Sequence, residues 1–250
     1  MSDDSRPAPA GARTAAVIPA AGRGVRLGPG APKALRALNG TPMLIHAVRA
    51  MAASRAVSLV VVVAPPDGAA EVRTLLDAHA LPERTEFLVV PGGDSRQESV
   101  RLGLDALPAG IDIVLVHDAA RPLVPVDTVD GVIEAVRGGA AAVVPALPLT
   151  DTVKQVEPAG AAGEPEPVVA TPERSRLRAV QTPQGFERDT LVRAHATVTE
   201  NVTDDASMVE QLGLRVVVVP GHEEAFKVTR PLDLILAEAV LARRRLTDGF

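Results

Sequence analysis

Apolar residues in this chain come in short unbroken runs. Ala15 to Ile18, Leu59 to Ala64, Phe87 to Val90, Ile113 to Val116 and Ala141 to Val144 contain no polar residue. Runs of that length and character read as strands buried on both faces. The stretches between them are amphipathic. Thr41-Pro42 reads as a cap with proline at the first helical position. The helix it opens runs to about Ser54, with Leu44, Ile45, Val48 and Met51 inward and His46 in a structural role. Asp67 to His79 forms the next helix. Another carries Val100, Leu104 and Leu107, and Pro125-Val126 opens one that ends near Arg137. This β-α-β-α-β-α-β-α-β alternation predicts an α/β, Rossmann-like fold: a mostly parallel sheet with helices on both faces.

The alternation breaks after Pro145. Asp151 to Val156 reads as a short strand, Pro158 to Pro167 is rich in turn residues, and Val168-Val169 is extended again. A projecting β-hairpin arm over about 149–178 fits best. Ala179 to Gln181 then leads to Thr182-P-Q-G-Phe186, and Glu187 to Ala196 is a helix. Thr203-D-D-A-Ser207 is a capped helix start with two carboxylates. Arg215 to Val219 is a strand, Ala225 to Pro231 an extended piece, and Leu232 to Arg243 the last helix. There is no internal repeat. The expected organisation is a disordered tail over 1–13 and one domain over 14–250.

Composition narrows the function. The net charge of -5 argues against a nucleic-acid surface. Cysteine, tryptophan and tyrosine are absent, which removes thiolate chemistry and an aromatic platform for stacking bases. No apolar run is long enough to span a bilayer, and the first dozen residues lack the order of a secretory signal, so no membrane partner and a cytoplasmic location are expected.

The candidate chemistry sits where strands end. Val17 to Lys33 carries Gly22, Gly24, Gly28 and Gly30 after a strand, with Arg26 and Lys33 as cationic donors. Exposed N–H groups in such a loop cradle phosphate oxygens. The spacing G-x-G-x-x-x-G is neither the dinucleotide fingerprint nor a P-loop. Gly92-Gly93-Asp94 and His117-Asp118 also fall at carboxyl ends of strands, where open α/β sheets bind ligands. Cations outnumber carboxylates among Arg26, Lys33, Asp118, Arg121 and Lys227, which suits a substrate with several phosphates. A glycosidase pair, a G-x-S-x-G elbow and a zinc-ligand spacing are all missing. Asp118 is a candidate to hold magnesium directly, to hold it through water, or to orient a substrate hydroxyl. A carboxylate capping a turn is the structural alternative.

Seven segments taken together carry a resemblance. They are Pro19-A-A-G-R-G-V-R-L-Gly28 with Pro32-Lys33, Pro91-G-G-D-S-R-Q-E-Ser99, Val116-H-D-A-A-R-Pro122, Asp151-T-V-Lys154, Gln181-T-P-Q-G-Phe186, Thr203-D-D-A-Ser207 and Phe226-K-V-T-R-Pro231. From about Ala15 to Arg243 the chain resembles the 2-C-methyl-D-erythritol 4-phosphate cytidylyltransferases of the non-mevalonate isoprenoid pathway. The resemblance implies CTP and methylerythritol phosphate as substrates, a CDP-alcohol and pyrophosphate as products, and Mg2+ held mainly by the CTP phosphates. It also implies a homodimer joined through the arm. By the same resemblance, Arg26, Lys33 and Lys227 are catalytic, and Ala20, Ala21, Gly22 and Gly24 line the nucleotide site. Gly92, Asp94 and Ser99 fall where cytosine is read. Asp118 and Arg121 lie near the ribose and acceptor, and Thr182 and Lys227 belong to the acceptor site. Thr152 and Arg174 reach into the partner's site, with Arg176 and Arg178 as neighbouring alternatives to Arg174. A ribitol 5-phosphate cytidylyltransferase is the near rival, and a non-catalytic nucleotide-binding module the distant one. Some relatives carry a fused cyclodiphosphate synthase; with the chain ending at Phe250, a monofunctional enzyme is expected.

Overall fold

A computed structural model describes residues 11–22, 32–161, 163–198 and 202–247. In chain order the elements are β1 (Thr14–Pro19), β2 (Ala37–Leu38), β3 (Thr41–Pro42), α1 (Met43–Ala53), β4 (Val57–Ala64), α2 (Ala69–Asp77), β5 (Glu86–Pro91), α3 (Arg96–Asp105), β6 (Ile113–Val116) and α4 (Val126–Arg137). The second half holds β7 (Ala142–Pro148), β8 (Gln155–Val156), β9 (Val168–Ala170), β10 (Arg178–Val180), β11 (Gln184–Glu187), α5 (Arg188–Thr197), α6 (Asp205–Gln211), β12 (Val216–Pro220) and α7 (Pro231–Thr247). No described helix is long and apolar enough to cross a membrane.

The main sheet has eight strands in the order β10-β7-β11-β6-β1-β4-β5, with β12 added on β7. Strands β6, β1, β4 and β5 are parallel, as the unbroken apolar runs predicted. Strand β11 runs antiparallel between β6 and β7. Its Gln184-Gly185 start lacks an apolar pattern, so the sequence marks it only as a motif.

Alternation along the strands sorts side chains onto two faces. Ala16, Ile18, Val60 and Val62 pack with Leu44, Val48 and Met51 of α1 and with Val132, Ile133 and Val136 of α4. Ala15, Val17, Leu59, Val61 and Val63 face Val100 and Leu104 of α3, Leu191 of α5 and Met208 and Val209 of α6. A smaller cluster of Leu38, Met43, Leu123, Val228 and Ala237 seats α7. Aliphatic side chains dominate all three, as a chain this poor in aromatics requires.

Three expectations change. Thr41-Pro42 is a short strand paired with β2, so Pro42 caps α1 from the position before its first residue and Thr41 makes no side-chain cap. Only Gln155–Val156 of the proposed arm strand pairs, against β9, although the hairpin itself is present. Ala225, expected to open an extended piece, ends a 3₁₀ turn instead, and the chain after it is extended at Phe226 but pairs with no strand. The Val228 N–H bonds instead to the Ala120 carbonyl at 2.8 Å, away from any ladder.

Gly103 lets α3 lie close to the sheet, since a Cβ there would meet Val17 Cγ1 at 2.5 Å and Val63 Cγ2 at 2.9 Å. Both neighbours are fully buried β-branched residues with little freedom to move. Gly103→Ala should therefore lower stability by about 1–2 kcal/mol, overpacking outweighing the helix-propensity gain. Chemical denaturation checks this; equal or higher stability would show that α3 moves freely on the sheet.

Candidate active site

Three loops at the carboxyl ends of parallel strands meet in one cleft of about 280 Å³. Strand β1 delivers Ala20, Ala21 and Gly22, β5 delivers Gly93 and Asp94, and β6 delivers Asp118. Lys33 enters from the 3₁₀ turn Lys33–Leu35, Ser99 from α3, and Lys227 from the segment before α7. Arg26 and Gly24, with Gly28 and Gly30, lie outside the described residues.

The turn after β5 is braced by its own side chains. A Cβ on Gly92 would fall 2.9 Å from the Ala64 carbonyl oxygen and 3.0 Å from Ala21 Cβ, so only glycine lets this turn touch the β1 loop. Ser95 caps α3 by accepting from the Glu98 N–H, and Glu98 reaches back to accept from the Asp94 N–H at 2.8 Å. The Ser99 hydroxyl donates to the Ser95 carbonyl and accepts from the Gly93 N–H. Ser99 thus shapes the wall of the cleft.

Asp118 is the electrostatic centre. Its Oδ2 accepts from Lys227 Nζ at 2.7 Å, its Oδ1 lies 3.5 Å from Arg96 Nε, and Arg121 Nε stands 4.0 Å from Oδ2. Burial opposes its charge, but Arg96, Lys227 and Arg121 outweigh it and hold the carboxyl well below the usual range. Among the described residues no group of three metal-ligating side chains forms. A carboxylate already shared by three cations does not fit a direct magnesium ligand.

The loop after β6 also places Lys227. The Val228 N–H reaches the Ala120 carbonyl, and Arg121 Nη1 donates to the Ala225 carbonyl at 2.7 Å. Arg121 does not line the cleft; burial lowers its basicity, with only Asp118 opposing. Thr182 sits behind the loop. Its hydroxyl accepts from the Asp118 N–H at 3.0 Å and bonds His117 Nδ1 at 3.0 Å. Because His117 Nε2 contacts the Arg121 carbonyl, that nitrogen carries the hydrogen and Nδ1 is the acceptor. Thr182 and His117 therefore hold the Asp118 loop from below. Thr182 is buried, so within this chain its hydroxyl is a brace.

Thr152 and Arg174 do not line this cleft. Arg174 donates to the Thr150 carbonyl within the arm.

Sequence reasoning missed Arg96, which lines the cleft, and the Asp205 carboxylate behind it at 2.7 Å. The cap Ser95 with Glu98 three residues on marks Arg96 as the first helical residue beside the glycine turn. That signal was available. The pairing with Asp205 was not, since 109 positions separate the two.

A largely parallel α/β sheet whose strand ends bring Ala20 to Gly22, Gly93-Asp94, two lysines and a cation-ringed carboxylate into one cleft has the layout of a nucleotidyltransferase. Known proteins agree with that class. The sequence model described as IspD, 2-C-methyl-D-erythritol 4-phosphate cytidylyltransferase, matches residues 14–243. The chain is 90% identical to the 2-C-methyl-D-erythritol 4-phosphate cytidylyltransferase of Streptomyces avermitilis and 81% identical to that of Streptomyces coelicolor, covering all of both proteins. The crystal structure of 4-diphosphocytidyl-2C-methyl-D-erythritol synthase from Anaerococcus prevotii superposes with a TM-score of 0.78 at 26% identity, over 93% of this chain and 100% of that one. The 2-C-methyl-D-erythritol 4-phosphate cytidylyltransferase from Thermus thermophilus gives 0.68 at 36% identity, over 90% and 97%. This chain belongs to the 2-C-methyl-D-erythritol 4-phosphate cytidylyltransferase family.

Burial pushes His117 down to about 4, against weaker support from Asp118 and its hydrogen bonds. The unfolded chain takes up this proton near 6.5. Between about 6.5 and 4 the unfolded state therefore binds more protons, and stability decreases as the pH is lowered. One such group gives a slope of up to about 1.4 kcal/mol per pH unit. His46, also lowered by burial, adds in the same direction. The carboxylates Asp118 and Asp205, both depressed, act only lower, below their unfolded values near 3.8. Denaturation curves from pH 7 to 4 should show the slope, and His117→Asn should reduce it. An unchanged slope in that variant would show that His117 charges freely in the folded state.

Proposed function

We propose that the cleft transfers CMP from CTP to 2-C-methyl-D-erythritol 4-phosphate and releases pyrophosphate. The observation that supports this most is the convergence of Lys33, Lys227, Ala20 to Gly22 and Gly93-Asp94 on one cleft at parallel strand ends. The acceptor's phosphate oxygen is an anion near neutral pH and attacks the α-phosphorus in line without a strong base. Charge builds on the equatorial oxygens and on the leaving pyrophosphate, where Lys33, Lys227 and Arg26 stabilise it. Magnesium supplies further charge neutralisation when it arrives with the triphosphate; no step depends on a bond between it and the protein. The backbone of Ala20 to Gly22 cradles phosphates, and the turn from Gly92 to Asp94, braced by Ser99, offers N–H and C=O groups to a cytosine edge. Catalysis here is positioning and electrostatics.

The partner subunit completes the site in this reading. Val168 and Val169 of the arm are 56% and 48% exposed, and every residue of β8 and β9 is exposed. Such a hairpin has no core of its own and gains one against a second copy. Closed two-fold pairing would bring Thr152 and Arg174 over the neighbour's cleft.

Pyrophosphate release with CTP and each acceptor, methylerythritol phosphate or ribitol 5-phosphate, tests the reaction. Turnover should favour CTP over ATP and the methyl-branched acceptor over ribitol phosphate. Lys33→Ala should lower it about 10²-fold or more with the circular dichroism spectrum unchanged. Equal turnover with ATP, or a fully active K33A enzyme, would overturn the assignment.

Shared sites are tested by complementation. K33A chains and Arg174→Ala chains are each expected to be nearly inactive. After subunit exchange, one site of each heterodimer regains both groups, so activity should rise well above either parent. Parental activity despite verified heterodimers would show that Arg174 acts within its own subunit.

A further inference from the structure

Beside the cleft runs a chain of polar and charged contacts that links five segments of the fold. Lys227 donates to Oδ2 of Asp118 at 2.7 Å, and Arg96 Nε faces the other oxygen, Oδ1, at 3.5 Å. Arg96 Nη1 donates to Asp205 Oδ2 at 2.7 Å. Asp205 Oδ1 accepts from His195 Nε2 at 3.0 Å. The order in space is α5, α6, α3, the loop after β6, then the Lys227 segment.

The inner end of this chain is sealed. The Asp205 side chain is 1% exposed and that of His195 is 2%. Asp205 is the first residue of α6, whose start is itself pinned. Asp204 caps it by accepting from the Ser207 N–H and takes a hydrogen bond from Gln184 Nε2 at 2.7 Å, while the Ala206 N–H donates to Gln184 Oε1. The outer end is open: the Arg96 side chain keeps 34% of its surface and lines the cleft.

Resting on the transfer reaction proposed above, we propose that Arg96 is a positioning residue. Clamped by Asp205 and His195, it fixes the plane of the Asp118 carboxylate and through it the ammonium of Lys227. Lys227 and the more distant Arg121 both stand on Oδ2, and the carboxylate can still turn about its last bond because an ammonium on a flexible stem follows it. A rigid guanidinium on the opposite oxygen removes that rotation, and its fork spans two carboxylates where a lysine serves one. Asp118 keeps its ionised form in this setting, with Arg96 the foremost of the charges that favour it. Because a displacement of Lys227 by about 1 Å costs up to about 10²-fold in rate, the clamp acts on turnover more than on binding.

The same contacts admit a simpler role, a tether between α3 and α6 without effect on chemistry. Kinetics separates the two. With CTP and the acceptor saturating, Arg96→Ala should lower kcat by about ten- to a hundredfold. KM for CTP should change by less than about threefold, since removal of an interaction that acts in the transition state leaves ground-state binding in place. Millimolar guanidinium ion should restore part of the lost kcat in R96A and none in K33A. Arg96→Lys should fall between, and His195→Asn should lower kcat by a smaller factor. If R96A folds poorly, R96K carries the same kcat–KM split. Wild-type kcat in R96A or R96K, or a loss unaffected by guanidinium and confined to thermal stability, overturns the proposal. A wild-type chain that transfers no CMP would instead overturn the reaction on which it rests.

Discussion

The structure depends on keeping one carboxylate, Asp118, ionised at the mouth of a buried sheet. Its side chain is only 12% exposed, so its charge is tolerable only with cations close by. Three supply it: Lys227, Arg96 and Arg121. Each comes from a different place in the chain, and each is anchored elsewhere. Arg121 grips the Ala225 carbonyl, Arg96 grips Asp205, and Lys227 follows from the backbone bond between Val228 and Ala120. Removing any one leaves a buried charge less compensated, so the loops around the cleft are locked to one another.

That lock is useful because the sheet alone does not place a phosphate. The parallel strands β6, β1, β4 and β5 bring their carboxyl ends to a common edge, which fixes where a cleft can open. Close approach of two turns then shapes it, with Gly92 against Ala21 and against the end of β4. Lys33 and Lys227 bring positive charge to the same edge. Electrostatic stabilisation of a charge-rich transition state needs that kind of arrangement, set before the substrate arrives. Asp118 keeps the positive field in place by holding Lys227 at a set distance.

Much of this was legible in the residues. The unbroken apolar runs at Ile113 to Val116 and Leu59 to Ala64 became strands because their side chains pack on both faces, and Pro125 marked the start of α4. Gly22, Gly93, Asp94 and Asp118 meet in one cleft, as their places at the carboxyl ends of strands led one to expect. Short elements were harder. Thr41-Pro42 has the chemistry of a helix cap, yet pairing with Ala37–Leu38 decided its state. Strand β11 begins with Gln184-Gly185, and no pattern marks it; Gly185 is needed because a Cβ there would lie 2.5 Å from Val132 Cγ1. The second aspartate of Thr203-D-D-A-Ser207 looked like one more helix-start carboxylate, but the placement of α6 beside the start of α3 turned it to Arg96. Thr182 kept its place beside Asp118, while its hydroxyl is spent on the loop. Contacts across many positions are set by packing, which no local pattern records.

The central claim is that the Asp118 charge organises the cleft for CMP transfer. Asp118→Asn keeps the shape and removes the charge that holds Lys227 and Arg96. Single-turnover transfer of labelled CMP, with CTP and methylerythritol phosphate saturating, measures the consequence directly. The expected result is a folded variant that still binds CTP and transfers CMP about 10²-fold or more slowly. Transfer within a few fold of the unaltered chain would contradict the claim.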